Sequence, residues 1–198
     1  GETFSMAIAR ALSMAEISAS AGLLVAVPTS GSAGTLPGVL FTVAQQLHKD
    51  ETALAESFLV AAAVGMVVGN TCSFSGSIGG CQAEIGAACS MAAAALTYLF
   101  GLRTDQVQYA AEIALEHHLG LTCDPICGLV QVPCIERNAV AAMRAMNSCN
   151  LAYFLADTQR ISFDIVVRTM YETGISMNQR FRETAEGGLA KMFERRRR

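Results

Sequence analysis

A chain of 198 residues can bury one substantial core, and a single domain over residues 1–198 is expected. Its net charge of −3 supplies no broad electrostatic drive toward nucleic acid or an anionic membrane surface. Hydrophobic residues make up 52% of it, alanine is abundant and Trp is absent, so helices packed through small side chains are expected.

In chain order, alanine-rich periodicity with a polar face carrying Arg10 and Glu16 predicts a helix over residues 3–20. Residues 28–38 combine two Pro, three Gly and four hydroxyl side chains and read as a loop. A helix resumes over 39–47, and Asp50 is placed to cap the next one, which runs to about residue 68. A glycine–serine segment occupies 70–80, followed by helices over 82–100 and from a Thr104 cap to residue 118. Residues 120–133 are irregular, 135–155 and 162–172 helical, and a short helix follows Gly188. No stretch alternates with period two, so the expected fold class is all-α, a compact multi-helix domain whose loops carry the reactive side chains.

Residues 57–83 contain no charge, but their apolar heart, 58–68, is too short to span a bilayer. That stretch and the uncharged residues 85–102 are read as buried core helices, with no membrane association expected. Twelve Arg stand against only Lys49 and Lys191, and the run Arg195 to Arg198 reads as a solvated tail.

Seven cysteines, an odd number with no leader ahead of them, argue against a disulfide framework and for a reducing, cytoplasmic location. Cys81, Cys123 and Cys134 each sit in polar, helix-breaking surroundings. Three thiolates from three segments can hold three irons of a [4Fe–4S] cluster and leave the fourth open as a Lewis acid. The competing reading, buried small hydrophobes, is preferred for Cys72, Cys89 and Cys149, while Cys127 stays unassigned. Thr29, Ser30, Gly31, Ser32 and Gly34 either form a plain turn or offer hydroxyls and backbone N–H groups to a carboxylate. Arg137 and Asn138 follow Cys134 closely. Arg137 can bind a carboxylate bidentately or pair internally with Glu136 or Asp124. His117 and His118 stand at a helix end, where His118 can move a proton or both can cap the helix.

These segments carry a specific likeness. Pro28 to Gly38, Gly80-Cys81-Gln82-Ala83-Glu84-Ile85-Gly86, Cys123-Asp124-Pro125, the run Gly128 to Asn138, and Glu183-Thr184 with Gly187-Gly188-Leu189-Ala190 resemble the motifs of iron–sulfur-dependent L-serine dehydratase α subunits. Forty-one residues separate the first two cysteines and ten the last two, as in that family. The resemblance implies a [4Fe–4S] cluster on Cys81, Cys123 and Cys134 and a substrate loop at Thr29 to Gly34, and the expected substrate-binding residues are Thr29, Ser30, Gly31, Ser32, Gly34, Arg137 and Asn138. It implies no pyridoxal phosphate, since Lys49 and Lys191 lie in charged helix contexts. The implied activity is conversion of L-serine to pyruvate and ammonia, with a regulatory β subunit or a homo-oligomer as partner. Family members carry residues ahead of the point matching Gly1, so the expectation is a catalytic domain lacking its N-terminal part; the base is left unassigned between that part and the candidates His118 and Arg137. A chain ending in Arg198 also lacks the terminal Cys with which single-chain relatives cap the open iron. Cysteine desulfidation on the same scaffold, a cluster-bearing redox module and an incomplete α chain are the competing readings.

Overall fold

The computed structural model describes residues 1–197, and it is all-α as expected. Arg198 and the side chain of Arg197 lie outside the described residues; Arg195 and Arg196 are exposed. The helices are α1 (Glu2–Ala19), α2 (Thr35–Gln46), α3 (Glu51–Thr71), the single turn α4 (Gly76–Gly79), α5 (Ala87–Leu99), α6 (Thr104–Glu116), α7 (Cys134–Phe154), α8 (Phe163–Ser176) and α9 (Gly188–Arg197).

α5 is the axis of the bundle. Every residue in it except Tyr98 is buried, and α2, α3, α6 and α7 pack around it. A helix apolar on all sides has no solvent face to offer, and its run Ala92 to Ala95 lets neighbouring helices approach closely. The turn entering α5, Gln82–Gly86, is π-helical rather than α-helical, and Cys81 is its first flanking residue. Such turns insert an extra residue into a helix and occur most often at functional sites.

The helix predicted from the Asp50 cap to about residue 68 runs on to Thr71, and where the apolar heart 58–68 is too short to span a bilayer, the 21 residues of α3 are long and apolar enough to cross one by length and composition alone. Nor is α3 a fully buried core helix. Ser57, Ala61, Gly65 and Val68 form its buried stripe, while Leu59 and Met66 on its other side are 70% and 67% exposed. Asp50 does cap it, accepting the Ala53 N–H at 2.8 Å. At α6 the cap is Arg103 rather than Thr104, because the Gln106 side chain reaches back to the Arg103 N–H at 3.1 Å. The loop predicted over 28–38 is shorter than expected: a 3₁₀ turn occupies Ser30–Ser32 and α2 already starts at Thr35. Pro37 falls in its first turn, where the missing N–H costs no intrahelical bond.

Glu112 of α6 is 1% exposed, and its Oε1 has no hydrogen-bond partner among the described residues. Burial, reinforced by the neighbouring Glu116, pushes its carboxyl up to about 7. The folded state therefore holds this proton more tightly than the unfolded chain. Its contribution is fully present below the ordinary carboxylate range and is lost as pH rises toward 7. Glu112→Gln is expected to flatten that decline and raise the thermal midpoint above pH 7. An unaltered slope of midpoint against pH would contradict this.

Candidate active site

Three irregular segments meet beside the start of α5. Cys81 follows Gly80 at the end of α4, Cys123 lies in the loop after α6, and Cys134 opens α7. All three are buried, at 1%, 2% and 6% exposure. Gln82 fixes the first segment against the second: its amide nitrogen donates to the Gly79 and Met170 carbonyls, each at 2.9 Å, and its oxygen accepts the Gly120 N–H at 2.9 Å. The C-terminal segment joins through a short parallel bridge, in which the Cys123 N–H donates to the Phe181 carbonyl at 2.8 Å and the Glu183 N–H donates to the Cys123 carbonyl at 2.7 Å.

The thiols interact directly. A hydrogen bond from Cys123, aided by the charge of Arg137, holds the Cys81 thiol below its ordinary range, and the same bond raises Cys123. Cys134, raised to about 12 mainly by burial, also feels the charges of Cys81 and Glu84. The structure thus brings Cys81, Cys123, Cys134 and Arg137 into one neighbourhood. Cys89 and Cys149 are buried in the core, Cys89 donating to the Ala141 carbonyl at 3.2 Å. Cys72 is half-buried, and Cys127 is exposed at a left-handed backbone position.

Among the described residues, no three His, Cys, Asp or Glu side chains form a shell for a single metal ion. A cubane cluster makes a different demand, one thiolate at each of several separate corners. The donor set fits that demand: three buried cysteines, one of them held below the ordinary thiol range, approach from three segments. Gly76 keeps the space before them open, since a Cβ there would stand 2.8 Å from Cys123 Sγ and 3.5 Å from Glu84 Oε2.

Other predicted site residues take different parts. Arg137 is paired internally: it donates to Asp124 Oδ1 and to the Thr122 carbonyl, both at 2.9 Å, with only 15% of its side chain exposed. Asn138 has no polar atom left for a substrate. Its oxygen accepts from Gly34 N–H and Thr35 hydroxyl at 3.1 Å each, and its nitrogen donates to the Gly31 carbonyl at 2.8 Å and the Cys134 carbonyl at 3.0 Å. It is a strut that ties the first loop to α7. Ser32 and Gly34 are likewise buried within that strut, whereas Thr29 and Gly31 are half-buried and Ser30 is exposed. His118 is not among the thiols' electrostatic partners. Its Nδ1 lies 2.7 Å from the Ala114 carbonyl, its charged neighbours are Arg144 and His117, and burial pushes its pKa down to about 4. With His117 Nδ1 2.8 Å from the Ile113 carbonyl, both rings close the end of α6.

Residues 1–190 match the family model described as serine dehydratase alpha chain. The chain belongs to that family. It is 49% identical over 181 residues to L-serine dehydratase TdcG of Escherichia coli K12, covering 91% of this chain and 40% of that protein. An L-serine dehydratase of Helicobacter pylori 26695 is 46% identical over 186 residues, with 93% and 41% coverage. A probable L-serine dehydratase, alpha chain, of Bacillus subtilis 168 is 44% identical over 184 residues, with 93% and 61% coverage. The chain therefore spans about 40% of the length of the first relatives it matches, and about three fifths of the Bacillus protein.

Two residues inside the serine dehydratase motifs carry more of the site than the sequence reading gave them. Asp124 binds Arg137 through one oxygen and the Leu189 N–H at the start of α9 through the other, at 2.9 Å each. Gly188 makes that approach possible: its φ is +55°, and a Cβ would collide with the Asp124 side chain. Glu84 directs its carboxylate at the first loop, accepting the Thr29 hydroxyl at 2.5 Å. A charged residue in a buried, glycine-flanked Cys motif was the available signal for Glu84; its partner is 55 residues away in sequence.

Proposed function

We propose that this chain is the cluster-holding, catalytic part of an L-serine dehydratase, releasing pyruvate and ammonia from L-serine. The observation that carries the reading is the convergence of three buried cysteines, Cys81, Cys123 and Cys134, around Arg137 and Glu84 in a member of the serine dehydratase alpha chain family. The relatives are L-serine dehydratases by name, which supports serine as substrate.

The reaction removes a weakly acidic Cα proton and expels hydroxide, a poor leaving group. A [4Fe–4S] cluster on the three cysteines supplies Lewis acidity toward the departing hydroxyl. The chain's own groups supply position. Arg137 and Asp124 fix the Cys123 segment, and Asn138 fixes the first loop against the residue that opens α7. Thr29, Ser30 and Gly31 form the reachable edge of that loop. Burial of the thiols keeps water from competing at the ligand positions. Pyridoxal chemistry needs a desolvated lysine amine, and both Lys49 and Lys191 are exposed. The enamine released by elimination hydrolyses to pyruvate and ammonia without further help.

The longer relatives, and an alpha chain among them by name, support an assembly in which a regulatory chain or domain completes the enzyme. Seven free cysteines suit a reducing, cytoplasmic setting. The test is steady-state pyruvate formation by anaerobically reconstituted protein, comparing L-serine with L-cysteine. Preference for serine is expected; preference for cysteine would turn the assignment to desulfidation, and turnover of neither would remove it.

A further inference from the structure

Glu84 stands at the thiol site with one carboxylate oxygen to spare. It is half-buried, and only one of its carboxylate oxygens has a hydrogen-bond partner among the described residues. Oε1 is committed to the Thr29 hydroxyl. Oε2 and Cys123 Sγ face one small space, since a single Cβ placed on Gly76 would meet both. On the other side, a Cβ on Gly31 would stand 2.6 Å from Oε1, so this loop position also leaves room only for hydrogen beside the carboxylate. Glu84 therefore lies between the reachable edge of the first loop and the thiols.

Its charged neighbours are one anion and one cation. The charged groups that Glu84 feels most are Glu183, whose backbone is bonded to Cys123, and Arg137. Arg137 already gives its guanidinium to Asp124. Burial raises the Glu84 carboxyl above its ordinary range; an amino acid entering this space brings one positive group, its α-ammonium, which favours the charged carboxylate and can be bound by its uncommitted oxygen.

We infer that Glu84 binds the α-ammonium of the substrate, and is thereby the residue that makes the site select an amino acid over a hydroxy acid of the same skeleton. The inference rests on the serine dehydratase reading. Thr29 is the positioning residue: its hydroxyl fixes one carboxylate oxygen and turns the other toward the thiols.

The test uses Glu84→Gln in anaerobically reconstituted protein. A glutamine oxygen still accepts from Thr29, while its NH₂ repels an ammonium instead of accepting from it. KM for L-serine is expected to rise about 10- to 100-fold, the range for one charge-assisted hydrogen bond, with kcat much less affected. Inhibition by 3-hydroxypropanoate, which lacks the ammonium, is expected to stay within about two-fold. The ratio of the two affinities would then collapse in the variant, a result that simple loss of folding does not give. Thermal midpoint and iron content serve as controls. A second variant, Thr29→Val, should raise KM for serine by a smaller factor with the same insensitivity to 3-hydroxypropanoate. Wild-type turnover of serine with an unchanged KM in Glu84→Gln overturns the inference and leaves the function standing. A fall in kcat at constant KM also overturns it, making Glu84 the Cα-proton base instead. Wild-type protein that neither binds nor converts serine defeats the underlying function itself.

Discussion

Cys81→Ser is expected to abolish pyruvate formation and to strip most of the iron and acid-labile sulfide from anaerobically prepared protein. Cys81 is the thiol for which the surroundings do most: Cys123 and Arg137 both favour its charged form, and it is 1% exposed. A serine hydroxyl in that position is far more basic than a thiol and remains protonated, so it offers iron no soft anionic ligand. The change removes no methylene and leaves Gln82, which anchors the local backbone, untouched. Loss of stability in the metal-free protein should therefore stay near 1 kcal/mol. Cys89→Ser is the internal control. That thiol is also fully buried, but it donates to the Ala141 carbonyl in the core, and the variant should retain iron. Equal iron in wild type and Cys81→Ser would remove the cluster assignment from these residues.

What the sequence made legible follows from range. α1, α5 and α7 were readable because helix periodicity and alanine content are local, and the Asp50 cap needs only three following residues. The three cysteines were readable because Gly, Pro and Asp around them break helices locally. The π-helical turn at Gln82–Gly86 was not, since its composition suits an ordinary helix, and what accompanies it is tertiary: the Gln82 amide tied to Gly79, Gly120 and Met170. Asn138 was misjudged for the same reason. Adjacency to Cys134 suggested a substrate contact, but partners 103 and 104 residues away consume its oxygen. For His118 the sequence left proton transfer and helix capping open, and the contact of its Nδ1 with the Ala114 carbonyl is the capping one. The exposed side of α3 could not be foreseen either, because hydropathy alone does not reveal which apolar helix takes the centre of a bundle and which its edge.

Asp124→Ala should produce the largest loss of stability of any single polar substitution in the site, about 3–5 kcal/mol in urea titration. Asp124 and Arg137 have side chains only 5% and 15% exposed, so removing the carboxylate strands a guanidinium with little water to solvate it. The second oxygen of Asp124 caps α9 at Leu189, and losing it costs about 1 kcal/mol more. Against a total of about 5–15 kcal/mol for a domain of ordinary stability, that is a large fraction. Replacing both members of the pair by apolar residues, Asp124→Leu with Arg137→Met, separates charge burial from packing. If the stranded charge dominates, the double variant should recover more than half of the lost stability. It should not recover activity, because the pair fixes the Cys123 segment through the Thr122 carbonyl and through α9 together, and a hydrophobic contact reproduces neither hydrogen bond. A single-variant loss below about 1 kcal/mol would mean that water reaches Arg137 on relaxation and that the pair contributes orientation rather than stability.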